Sequence, residues 1–134
     1  MTVRTWSTPR DSLDRLVTCA RQDVGTPTWW ACLARHLDEL RDELAIGDIE
    51  GLAVQITTDA PHLAASAARL PPLEKQVQSE LTQLRMLVAS ACGSMTAAPP
   101  VRDAVEVALR RVRTLNRMSD DLLLDAYERD FGGQ

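Results

Sequence analysis

The chain has 134 residues, of which 45% are hydrophobic and 25% charged, with a formal charge of −4. That length favours one domain with a sizeable core, and that composition excludes a wholly disordered chain. The acidic balance argues against generic nucleic-acid binding, which uses a basic surface to displace counterions from phosphates, and no apolar run reaches the ~20 residues that span a bilayer.

Glycine and proline divide the chain into helical stretches. Thr8-Pro9 with Asp11 is a start signal, predicting a helix over 9–24 with Leu13, Leu16, Val17 and Ala20 on one face. Gly25-Thr26-Pro27-Thr28 stops it and caps the next. Trp30, Leu33, Leu37, Leu40 and Leu44 then recur in steps of three and four, the helical signature, while Arg35, Asp38, Glu39, Arg41, Asp42 and Glu43 form a solvated face. Gly47-Asp48 breaks this helix, and a short one is expected over 49–57. Asp59-Ala60-Pro61 opens another stripe, Leu63, Ala67, Leu70, Leu73, Val77, Leu81, Leu84 and Val88. Pro71-Pro72 falls inside it and predicts a kink or break, because proline lacks the N–H and crowds the preceding turn. Residues 91–100 read as a linker. The last helix turns Val101, Val105, Leu109, Val112, Leu115, Leu122 and Ala126 inward and ends at Gly132-Gly133. No run alternates with period two, so strands are not expected. The architecture is an all-α bundle of four main helices with a short fifth.

Cys19, Cys32 and Cys92 are odd in number and widely spaced, without a CxxC pair, and read as three reduced thiols. With no apolar signal segment in MTVRTWSTPRDSLDRL, a cytoplasmic location is expected. Cys32, among Trp30, Ala31 and Leu33, reads as a small buried hydrophobe, although His36 stands one helical turn further on. His36 and His62 are the only histidines, too few for most histidine-based metal or catalytic sets. His62 reads as a half-exposed surface group and His36 as an edge residue of its stripe.

Four stretches together resemble bacterial hemerythrin-like proteins of the HHE cation-binding type: the Trp-led helix ending LDELRDEL, the segment EGL, the turn DAPHLAASAARL and the terminal DLLLDAYERDFGG. The resemblance covers residues 29–133. It implies a four-helix up-down bundle of hemerythrin-like type, with the 9–24 helix as an N-terminal addition, all within one domain, 1–134. It also implies iron held by inward histidines and carboxylates. At the positions where the family's histidines would fall, this chain has Glu43, Glu74 and Leu115. The resemblance therefore implies a scaffold without its iron set; the alternative is a weak divalent or iron site from Glu43, Glu74, Asp121 and His62.

Asp120, Asp121, Asp125, Glu128 and Asp130 crowd the end of the last helix, where negative charge is mildly unfavourable unless Arg117, Arg129, a basic partner or a cation offsets it. Arg110, Arg113 and Arg117 share a face, with Arg111 beside them. Glu106, four residues before Arg110, makes an ion-paired surface the expectation. Adjacent Trp29 and Trp30 point ~100° apart on a helix, so one is expected near the surface as a contact residue. The reading is a non-enzymatic interaction or regulatory module that contacts another protein, or a second copy in a homodimer, through Trp29, Trp30, Asp120, Asp121 and Asp125. The alternatives are iron-based O₂, redox or metal sensing and a small-ligand pocket in the bundle core.

Overall fold

Local chemistry sets the helix ends. Thr26, in an extended conformation, accepts a hydrogen bond from the Trp29 N–H at 3.2 Å, and Pro27 occupies the first turn, where its missing N–H costs nothing. Asp48 adopts the left-handed conformation (φ 50°) and its carboxylate accepts from the Gly51 N–H at 3.1 Å. A Cβ at Gly51 would collide with that carboxylate, so EGL is the sequence of a tight helix start. At Pro71-Pro72 the outcome is a break: one helix ends at Ala67, and the next begins at Leu70 with the prolines in its first turn.

The computed structural model describes residues 10–129, which are all-helical, with no strand among them. The helices are α1 (Arg10–Arg21), α2 (Pro27–Ile46), α3 (Ile49–Asp59), α4 (Ala64–Ala67), α5 (Leu70–Ala91) and α6 (Ala98–Leu123). A 3₁₀ turn, Pro61–Leu63, joins α3 to α4, and a widened π turn, Leu124–Arg129, follows α6. The expected start at Thr8-Pro9, Asp130 and the stop at Gly132-Gly133 lie outside the described residues, as do the side chains of Glu128 and Arg129. No helix among the described residues is long and apolar enough to cross a membrane.

Four helices pack in a closed ring: α1 on α2, α2 on α5, α5 on α6 and α6 back on α1. Each consecutive pair is antiparallel. Ser12 at the start of α1 reaches Glu43 at the end of α2, while Trp29 at the start of α2 reaches Ala20 at the end of α1. In α5, Gln78 meets Arg41 and Arg85 meets Asp38 of α2. Short α3 and α4 bridge α2 to α5, with α3 packed on α5. Helix α1, which lies outside the resemblance, is thus one of the four walls, because Leu13, Leu16, Cys19 and Ala20 are buried in the common core. Leu33, Leu37, Leu40, Leu81, Val105, Leu109, Val112 and Leu115 fill that core.

Candidate functional site

Trp29 and Trp30 are each 1% exposed, which corrects the expectation that one would stand at the surface. They lie at the helix start, where different neighbours take each ring. Trp29 Nε1 donates to the Ala20 carbonyl at 3.2 Å in α1, whereas Trp30 borders a groove toward α5. The two rings meet edge to face with centroids 4.8 Å apart. Both are core residues, and neither is available as a docking anchor.

The residues of the alternative metal site are not brought together. Among the described residues no group of three or more His, Cys, Asp or Glu converges in a way that could hold a metal ion. Half-buried Glu43 accepts a hydrogen bond from the fully buried Ser12 hydroxyl at 2.5 Å. Glu74 accepts from Gln78 one turn on, while Asp121 and His62 are exposed on different elements. Leu115, at the third expected ligand position, is a fully buried apolar residue. These side chains do not fit the iron pair that the resemblance implies. Asp120 and Asp125 are half-buried and already engaged, so only Asp121 of the acidic interaction set is exposed.

The α1–α2 seam carries the densest chemistry. Cys19 is buried near the end of α1, and half-buried Cys32 faces it from the first turns of α2. Together with Asp14, Arg15, Thr18, Gln22 and His36 they line one surface pocket of about 330 Å³. Burial first, then the neighbouring Cys32 thiol, pushes the Cys19 thiol up to about 12, against a smaller opposing pull from Arg35. His36 is also buried, its Nδ1 3.2 Å from Glu39 and its Nε2 3.5 Å from the Arg35 guanidinium. With Nε2 turned to a permanent cation, the lone pair accepts from arginine and Nδ1–H donates to Glu39. Hydrogen bonding to His36 holds the Glu39 carboxyl below its usual range, with the charges of Arg15 and Arg35 acting in the same sense. A Cys–His pair needs the free imidazole nitrogen aimed at sulfur, and here it faces Arg35 instead. The seam is therefore a dithiol pocket with an oriented, hydrogen-bonded imidazole beside it.

The α5–α6 seam differs in kind. Glu80, Gln83, Leu84, Leu87, Ala104, Val107, Ala108 and Arg111 line a shallow groove of about 470 Å³. Alanines make its floor on α6, and Leu87 (42% exposed) and Val107 (45% exposed) stand on its rims. The Arg111–Glu80 pair, 3.0 Å, closes one end. Arg110, Arg113 and Arg117, all exposed, lie outside this groove, on the side of α6 that carries Glu106 toward α1. Among the described residues none of the three has an acidic partner. Glu106, expected to pair with Arg110, is taken by Arg21 of α1 at 3.2 Å. Of the ion-paired surface expected there, Arg111 is paired, with Glu80, whereas the Glu106–Arg110 pair is not formed.

Sequence periodicity missed Cys19 as the neighbour of Cys32. The signal was the short α1–α2 turn, which forces an antiparallel pair and sets residue 19 near residue 32. A third groove, about 580 Å³, lies between α2 and α5 and is lined by Trp30, Ala31, Ala34, Val88 and Ala89; the buried Trp30 Nε1 has no hydrogen-bond partner among the described residues. Comparison of the chain with protein-family models, with curated proteins and with solved structures returns no match.

Proposed function

We propose that this chain is a non-enzymatic protein-docking module whose working face is the α5–α6 groove. The single observation carrying the proposal is the juxtaposition of exposed Leu87 and Val107 across an alanine floor, with the Arg111–Glu80 pair at one end. Apolar rims on two neighbouring helices take the apolar edge of a third helix. The occupant is therefore an amphipathic helix of a partner protein. A filled core supports the scaffold role over a ligand cavity at the bundle axis. The hemerythrin-like relation enters as architecture only: an antiparallel four-helix ring with leucine at one expected ligand position supports it, and the place of α1 within that ring counts against treating that helix as an addition. The cytoplasm is the compartment we assign, supported by three unpaired thiols.

Site-specific photo-crosslinking tests the reading. A photoreactive residue replacing Leu87 is expected to capture one discrete protein in the cells that make this chain, and the adduct should disappear when Val107 on the opposite rim is changed to Glu. Capture of nucleic acid, capture of a second copy of the chain, or equal labelling from Thr58 on α3 would overturn it.

A further inference from the structure

The two thiols of the α1–α2 seam have no role in the docking reading, and their placement carries an inference of its own. Cys19 lies one turn before the end of α1 and Cys32 in the second turn of α2, on helices that pack antiparallel through a five-residue connection. Both line the same pocket, and their thiols interact across the seam. The Trp29–Ala20 hydrogen bond at 3.2 Å holds the two helix ends together immediately beside them. Thiols that already interact across two packed helices are placed for the sulfur–sulfur approach a disulfide requires.

We infer that Cys19 and Cys32 are a modification site: a dithiol that hydroperoxides convert to a disulfide tying α1 to α2. The half-buried Cys32 reacts first. Its thiolate attacks the peroxide O–O bond, forming Cys32 sulfenic acid and releasing an alcohol, or water when the oxidant is hydrogen peroxide, after uptake of one proton. The Cys19 sulfur then displaces the sulfenic hydroxyl, which leaves as water with the Cys19 proton. The S–S bond forms, two thiols are oxidised by two electrons in total, and the peroxide is reduced. The raised Cys19 thiol fits this order. Buried and protonated, Cys19 is a poor first nucleophile, which leaves the first step to the more accessible Cys32. Exposed Cys92, at the end of α5, is not part of the pair.

The test uses the full chain carrying Cys92→Ser, treated with hydrogen peroxide and digested with trypsin without reduction. Peptides 16–21 and 22–35 are expected to be joined, with the whole protein lighter by two hydrogen atoms, and dithiothreitol should separate them. The oxidised protein should melt about 10 °C higher, the shift a loop of this length implies. With Cys19→Ala added, Cys32 sulfenic acid should accumulate and be trapped by dimedone; with Cys32→Ala added, Cys19 should stay reduced under the same treatment. Over-oxidation of Cys32 without joining Cys19, disulfide-linked dimers, or two thiols left reduced would each overturn the inference.

Discussion

The α1–α2 and α5–α6 seams are both antiparallel helix pairs of the same ring, yet they treat their functional groups in opposite ways. Along α1–α2 polar groups find partners inside the chain: Ser12 with Glu43, Trp29 with the Ala20 carbonyl, His36 with Glu39, and Arg15 with Glu39 at 3.6 Å. Along α5–α6 the Arg111–Glu80 pair is formed, and Leu87 and Val107 beside it are left facing solvent. Internal satisfaction suits a seam that stabilises the fold. Unspent apolar area is what supports the docking proposed for the other.

Substitutions sharpen that contrast. Trp29→Ala should have the largest effect, removing a fully buried ring and orphaning the Ala20 carbonyl, a loss of about 3–5 kcal/mol of unfolding free energy by denaturant titration. Ser12→Ala should cost about 1.5–3 kcal/mol, the range for a hydrogen bond to a charged group. The double change Ser12→Ala with Glu43→Leu should recover much of that loss, since removing both partners leaves no unpaired carboxylate. By contrast, Leu87→Glu and Val107→Glu should each move stability by no more than about 0.5 kcal/mol, as surface changes do, while Val107→Glu abolishes the crosslink from position 87. A loss of several kcal/mol at Val107 would instead make the groove part of the core.

How much of this was legible in the sequence depends on the range of the interaction. Periodicity found the apolar stripes because burial repeats every three or four residues, and every residue of the Trp30 to Leu44 stripe is buried. Pro71-Pro72 and the Asp48–Gly51 start were equally local and equally readable. Neighbour choice was not. Nothing in the 9–24 stripe says that α1 faces α6, so its place in the ring was hidden. The argument that adjacent tryptophans point apart was sound, but it assumed a single buried face, and the start of α2 is enclosed on more than one side. The arginine stripe was misjudged for a related reason. Glu106 is local to Arg110 in sequence, but Arg21, 85 residues away, holds it instead.

The smallest effect concerns a contact that belongs to neither seam. The Tyr127 hydroxyl, on the π turn after α6, donates to Asp59 at 2.8 Å and so ties the end of the chain to the end of α3. Burial first, then the hydrogen bond to Asp59 and its negative charge, pushes the Tyr127 phenol up to about 12. A group whose folded value is raised contributes stability that is fully present below its unfolded value, ~10 for tyrosine, and is lost as pH rises through the folded one. Stability should therefore decline between about pH 10 and pH 12 from this group, and Tyr127→Phe should remove that part of the decline while changing neutral-pH stability little. Because the hydroxyl is largely open to solvent, the effect should be far smaller than that of Ser12→Ala. Denaturant midpoints measured across that alkaline window for the two proteins decide it: parallel curves would show that the Asp59 contact does not anchor the turn.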